Sequence, residues 1–294
     1  MIYLTKEDWN ELILSKLLKK VSFNNQFFEL FKINVAFHYF IKNIYKELIT
    51  PAEQNYLLIA STVIFHKYRV CTNFSINNFS TEEIYIILGA CLSVGQATTN
   101  ILKNSINKIS DFIYDKILEK EPNKKFEKQT ILDNIKNRQF EILYNIGFNI
   151  EVDFPFSFIN KVKNHLSKIP NLPQSTFPLL NSIIKESFIM PFCLYYTPNI
   201  ITISSILMLK DKFKLNYINI KELISLSEYD LDEEDIQQCT VLLKVLDDAV
   251  VERNKKKIQN KGNENTKVIN DINQVNSDTT SVTKIIPNIR MNID

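Results

Sequence analysis

The sequence predicts an all-α protein of two successive five-helix units followed by a polar tail, and three observations predict it. Glycine is scarce: the 294 residues hold four, and Gly262 falls in the tail, which leaves Gly89, Gly95 and Gly147 for the rest. A fold of many tight turns, or a loop that cradles phosphate, would draw on more, because left-handed turn positions and close approaches favour a residue without a Cβ. Apolar residues recur at three- and four-residue spacing up to about residue 250. Three segments also carry helix-start chemistry: Thr50-Pro51-Ala52-Glu53, Ser80-Thr81-Glu82-Glu83 and Thr197-Pro198. In the first two a hydroxyl is followed three residues later by Glu, a capping box, and proline at a first helical position costs no hydrogen bond.

The first unit is expected to hold helices at about 32–48, 51–72, 80–97, 101–118 and 128–147, after an N-terminal helical extension over 1–24. The plan then restarts. Pro155-Phe156-Ser157-Phe158-Ile159 opens a helix, and a Pro-rich linker follows at Ile169-Pro170-Asn171-Leu172-Pro173. A long apolar helix near 175–194, the Thr197-Pro198 helix to about 212, a short one near 219–228 and a last one near 232–252 complete it. Duplication of a helical unit is the economical reading, and a single irregular helical array is the alternative. Residues 255–294 contain no aromatic residue and are rich in Asn, Lys, Ser and Thr. They cannot bury enough apolar surface to offset their ordering entropy, so a disordered tail is expected there.

Composition narrows the function. With 45% hydrophobic residues, 20 Phe and 12 Tyr, the chain can fill one large core or two of ordinary size. The tail carries seven of the 35 Lys and Arg and four of the 33 Asp and Glu, which leaves the folded part close to neutral. That gives no electrostatic footprint for wrapping nucleic acid. Cys71, Cys91, Cys193 and Cys239 are far apart and show no metal-ligand spacing, so each is expected to pack as a small apolar residue in a reducing compartment. The longest apolar runs, near Leu57–Phe65 and Ile84–Gly95, are shorter than the roughly 20 residues a membrane helix needs. Charge also follows Met1 too soon for a secretory leader, and a soluble intracellular protein is expected.

Catalysis finds no footing. His38, His66 and His165 lie far apart in amphipathic stretches with no Ser or Cys beside them in an activating motif, and no phosphate-loop or zinc-protease signature occurs. Glu82-Glu83 and Asp232-Glu233-Glu234-Asp235 suit the positive end of a helix dipole. No catalytic residue, metal or cofactor is expected.

The informative segments are Ala60-Ser61-Thr62-Val63-Ile64-Phe65-His66-Lys67-Tyr68-Arg69, Leu88-Gly89-Ala90-Cys91-Leu92, the stretch Gln139 to Ile150 with Ile146-Gly147-Phe148, and Tyr196-Thr197-Pro198 to Ser205. In this order and spacing they resemble the second, third and fifth helices of a cyclin box and the opening of a second box. The chain is similar to the transcription-associated cyclins, the group of cyclins K, T, L, C and H, over roughly 25–250. The resemblance implies a first cyclin box over 25–152, a second over 153–254 and a polar tail over 255–294. It also implies a non-catalytic subunit that binds and activates a cyclin-dependent kinase as a heterodimer, with no membrane, nucleic-acid or small-molecule partner, working in the nucleus and in part the cytoplasm. In that family the third and fifth helices clamp the kinase's mobile helix, which sets its Lys–Glu pair and opens its activation loop. By position, the contact surface here would comprise Val94, Ala97, Thr98, Gln139, Leu143, Phe148 and Ile150, with Leu143 and Phe148 as apolar anchors. Packing inside the first box is the blander role for both anchors.

The sequence departs from the family at two of these positions. Cyclins carry a Lys on the third helix and a Glu on the fifth that bond the kinase backbone, and here the matching residues are Ala97 and Gln139. Gln139 keeps hydrogen-bonding capacity, whereas Ala97 has no side-chain donor. Two readings follow: a divergent activating cyclin, or a cyclin-fold scaffold that binds proteins without activating a kinase. The arginine- and leucine-bearing docking helix of mitotic cyclins is not matched by Ile33-Asn34-Val35-Ala36-Phe37-His38-Tyr39. The triplet Lys255-Lys256-Lys257 could aid nuclear import, though a solvated chain end is the plainer reading.

Overall fold

The computed structural model describes residues 20–72, 79–101, 106–120, 122, 127–169 and 172–275. Among these residues every regular element is helical: α1 (Lys20–Tyr45), α2 (Pro51–Thr72), α3 (Thr81–Thr99), α4 (Ile106–Lys120), α5 (Lys128–Asn145), α6 (Phe156–Leu166), α7 (Thr176–Ser187), a 3-10 turn η1 (Pro191–Leu194), α8 (Pro198–Phe213), α9 (Ile220–Ile224) and α10 (Glu233–Val275). The expected starts form as their chemistry demands. Thr50 and Glu53 exchange a capping box, with the Thr50 amide donating to Glu53 Oε2 at 2.7 Å and the Glu53 amide to Thr50 Oγ1 at 3.3 Å. Ser80 and Glu83 do the same for α3, and Thr197 accepts from the Ile200 amide ahead of Pro198.

In the first half α3 is the hub, packing on α1, α2, α4 and α5. Its middle, from Ile86 to Leu92, is buried without interruption, and the Ile109, Ile113, Ile131 and Ile135 side chains of α4 and α5 join that core. In the second half α8 plays the same role, touching α6, α7, η1 and α9. Its run Ile200–Ile206 is buried on every face, as a helix enclosed by its neighbours must be. The chain is thus all-helical as the periodicity predicts, with α3 and α8 as its enclosed apolar helices.

The differences have local causes. The apolar stretch 175–194 is not one helix: α7 ends at Ser187 and η1 begins at Pro191. Met190 sits at φ −97 and ψ 156, because the proline ring disfavours helical backbone in the residue before it and supplies no N–H. The short helix expected near 219–228 keeps one turn, capped by Asn219 Oδ1 accepting from the Lys221 amide at 3.1 Å. Helix α1 begins at Lys20, earlier than the apolar period marks, and α10 runs on to Val275, past the expected end near 252. The tail expected from 255 is therefore helical as far as 275, and 276–294 lie outside the described residues, as do residues 1–19 of the expected N-terminal extension. The chain divides into two units between Asp247 and Asp248. No helix of the described residues is long and apolar enough to cross a membrane.

The two halves meet along α2. At its start Tyr56 lies between Phe154 and Phe156, with ring centroids 4.9 and 4.3 Å away. At its end His66, 1% exposed, places Nε2 3.0 Å from the Phe188 carbonyl oxygen. A carbonyl only accepts, so Nε2 carries the proton, and Nδ1 is a buried acceptor with no hydrogen-bond partner among the described residues. Burial pulls this imidazole down to about 4, the Arg69 charge adds to the effect, and the Phe188 carbonyl opposes it. Between α2 and α3 the fit is close at Gly95, where a Cβ would stand 2.9 Å from the Ser61 amide nitrogen and 3.1 Å from its Cα.

Two outcomes follow from these contacts. Gly95→Ala should cost about 2 kcal/mol in denaturant unfolding, because its methyl meets backbone and must push α2 and α3 apart. Gly89→Ala should cost less, since its methyl meets the side-chain ends of Ile113 and Ile109, and both changes gain about 1 kcal/mol of helix propensity. For His66 the unfolded ring takes a proton near pH 6.5 and the folded ring only near 4. The stability it confers is complete above pH 6.5 and is lost, by roughly 3 kcal/mol, as pH falls toward 4. Unfolding measured from pH 7 to 5 should show that slope in the wild type and a shallower one in His66→Gln, which can still donate to Phe188 but does not titrate.

Candidate partner-docking surface

Helix α5 is two-sided. Ile131, Ile135 and Ile142 are buried against α3 and α4, while Phe140 and Tyr144, one turn apart on the opposite side, are 66% and 71% exposed. Phe148 continues the four-residue spacing beyond the helix end and is 58% exposed. Phe140 and Tyr144, four residues apart on one helix face, are neighbouring exposed aromatic side chains, and Phe148 is a third beyond the helix end.

The end of α5 is built to hold that row. Gly147, at φ 61, donates its amide to the Tyr144 carbonyl at 3.1 Å, and Phe148 donates to the Leu143 carbonyl at 2.8 Å. This pair of bonds is a Schellman closure, and it satisfies two of the carbonyls that a helix end leaves over. Phe148 itself is left-handed, at φ 57. Such a conformation disfavours an L residue by roughly 1–2 kcal/mol and persists only where its surroundings fix it. Lys67 of α2 reaches the next residues: its Nζ donates to Asn149 Oδ1 at 2.9 Å, to the Asn149 carbonyl at 3.1 Å and to the Glu151 carbonyl at 2.7 Å.

The flanks of α5 are tied down as well. Gln139 Nε2 donates to Ser93 Oγ of α3 at 2.7 Å. On the other side Tyr68 Oη donates to Glu141 Oε1 at 2.7 Å, and Arg138 Nη1 donates to both carboxylate oxygens of Glu141 at 2.8 and 2.7 Å. Burial, and then the Glu141 carboxylate, push the Tyr68 hydroxyl up to about 12, so it stays a donor at neutral pH.

The residues expected on the contact surface separate into three kinds. Phe148 is displayed, and Leu143 and Ile150 are half-buried beside it. Ala97 is exposed near the C-terminal end of α3, and the adjacent Thr98 turns its hydroxyl back to the Gly95 carbonyl at 2.7 Å. Gln139 lies on the α3 side with its amide nitrogen engaged by Ser93. Val94, by contrast, is 4% exposed and belongs to the core, because it falls on the inward face of α3. Phe140 and Tyr144 went unmarked in the sequence, although their spacing relative to Ile131, Ile135 and Ile142 places them on the outer face.

Among the described residues no three of His, Cys, Asp and Glu group closely enough to hold a metal ion. A depression of about 420 Å³ between α4 and the start of α5, lined by Ser110, Asp111 and Lys128 among others, lies at the opposite end of α5 from Phe148. No family model and no curated protein matches the chain. Among solved structures, the chain is similar to a chain of the yeast TFIIK (Kin28/Ccl1/Tfb3) complex determined by cryo-electron microscopy, at 14% identity, with 81% of this chain and 94% of that chain covered and a TM-score of 0.45.

The left-handed residue gives a direct test of strain. Phe148→Gly should be more stable than Phe148→Ala by about 1 kcal/mol in denaturant unfolding, because only glycine adopts φ 57 without a Cβ penalty.

Proposed function

We propose that this chain is a cyclin-type regulatory subunit, without catalytic residues of its own, that binds and activates a cyclin-dependent kinase through the outer face of α5 and the end of α3. The observation that supports it best is the exposed row Phe140, Tyr144 and Phe148, standing on the helix whose sequence resembles the kinase-clamping fifth helix of a cyclin box. Leu143 and Ile150 flank the row, and Ala97, Thr98 and Gln139 form its α3 side. Val94 packs behind it. Aromatic side chains on a firmly held helix suit protein recognition, since they bring large contact area at small entropic cost. The kinase served belongs to transcription or the cell cycle in this reading, with the nucleus as the place of action.

A second reading, a scaffold that binds proteins without activating a kinase, has its own support. Ala97 offers no donor where cyclins place Lys, and Gln139 is uncharged where they place Glu. Both readings keep the same docking row, and they differ in whether the kinase's mobile helix is gripped by hydrogen bonds.

The deciding experiment is purification of the tagged chain from its own cells at moderate salt, followed by mass spectrometry and a phosphotransfer assay. A stoichiometric cyclin-dependent kinase whose activity depends on this chain supports the activating subunit; a stoichiometric partner of another kind, with no kinase, supports the scaffold. Tyr144→Asp and Phe140→Asp, both on the exposed side, should lower kinase capture by about thirtyfold or more, as expected for interface anchors worth at least about 2 kcal/mol. Leu143→Asp should do the same while circular dichroism remains helical. Capture at wild-type strength by all three would place the interface elsewhere.

A further inference from the structure

The geometry points to Lys67 as a positioning residue for the docking row: its ammonium holds the turn after α5 so that Phe148 and Ile150 are presented in one fixed conformation. This rests on the docking surface proposed above and assigns the element of it that lies on another helix. An ammonium has three protons to donate. Here all three have acceptors, Asn149 Oδ1, the Asn149 carbonyl and the Glu151 carbonyl, at 2.9, 3.1 and 2.7 Å.

Three features set this apart from an ordinary surface lysine. The bonds span 82 and 84 residues of sequence, joining the end of α2 to the turn that follows α5. Half-burial costs Lys67 some of its hydration, and neighbouring acids, Glu151 and Asp153 among them, offset some of that cost. The charge also stands past the C-terminal end of α5, whose terminal carbonyls favour a cation. The segment it grips begins one residue after Phe148, the left-handed residue at φ 57. Within the turn the backbone adds the short bonds Asn149 N–H to the Ile146 carbonyl at 3.1 Å and Ile150 N–H to the Phe148 carbonyl at 3.0 Å. A strained aromatic residue needs an outside hold to stay displayed, and Lys67 supplies three bonds of it.

The test uses the full chain in two assays. Amide hydrogen exchange on the free chain reads the turn at Phe148, Asn149 and Ile150; capture of a purified cyclin-dependent kinase identified as above reads docking. Lys67→Met keeps the aliphatic stem and removes the donors, Lys67→Arg keeps donors and charge, and Asn149→Ala removes one acceptor. Expected in Lys67→Met are exchange at the three turn amides faster by tenfold or more with the α3 and α5 core unchanged, and kinase association slowed by at least tenfold. Lys67→Arg should restore most of both, and Asn149→Ala should fall between. Turn amides in Lys67→Met that exchange as in the wild type would overturn the positioning role, and a loosened turn with undiminished kinase association would overturn its link to docking. If the wild-type chain captures no kinase, the docking reading falls and takes that link with it, while the exchange data still show whether Lys67 holds the turn. Should Lys67→Met fail to fold, Asn149→Ala carries both comparisons.

Discussion

The contact of the Ser61 backbone with Gly95 sets the spacing on which the rest of the first half depends. Helices normally stand 8–10 Å apart according to the side chains between them, and here one side chain is missing altogether, so α2 and α3 meet backbone to Cα. Everything placed farther along α2 inherits that fit. Lys67 lies six residues on, about 9 Å at 1.5 Å per residue, at the level of the turn after α5. His66, the residue before it, faces about 100° away and meets the Phe188 carbonyl in the second half. One close approach thus aligns a polar strut to one neighbour and a three-bond clamp to another.

Rigidity and display are coupled through the ends of α5. A helix can show an aromatic row to water only while its opposite face is anchored, and Ile131, Ile135 and Ile142 provide that anchor in the core. The flanks add Gln139 with Ser93 of α3 and Glu141 with Tyr68 of α2, which resist rotation of the helix about its axis. At its C-terminus the Schellman closure and the hold of Lys67 on Asn149 and Glu151 fix the turn that carries Phe148. Phe148, left-handed beyond the helix end, is exposed as Phe140 and Tyr144 are.

Much of this was legible in the sequence, and the features that were not share a cause. Capping residues act on amides within three positions, so Thr50, Ser80 and Thr197 located their helices directly. The uninterrupted apolar stretch Ile84–Gly95 marked α3, because a helix enclosed on all sides has no polar face to disguise it. Pro191 was visible but lay inside an apolar run, and continuity of hydrophobicity masked the break that its missing N–H enforces. At the docking face, position within a family resemblance brought out Leu143 and Phe148 but also Val94, which points inward. Phe140 and Tyr144 were overlooked for the converse reason: aromatic residues in a helical period pass for core until the neighbouring isoleucines fix which side the core is on. Lys67 could not be read at all, since its acceptors are carbonyls and one amide oxygen more than 80 residues away.

The changes at Ala97 and Gln139 bear on how such a surface would work. A Lys and a Glu that bond a partner's backbone give directional grip, whereas an aromatic row gives area without direction. In the resemblance to cyclins, Ala97, an exposed methyl group, stands at the Lys position, and Gln139, uncharged and with one Nε2 proton given to Ser93, stands at the Glu position. Gln139 Nε2 links α3 and α5 through Ser93, and with no side-chain donor at Ala97 the orientation of a partner on the proposed surface would rest more on shape. A shape-based grip demands that the aromatic groups be held still, since each side chain frozen only on binding costs about 0.5–1.5 kcal/mol. The internal bonds around α5, and the left-handed Phe148 kept in place by a turn anchored to α2, are what such a surface requires.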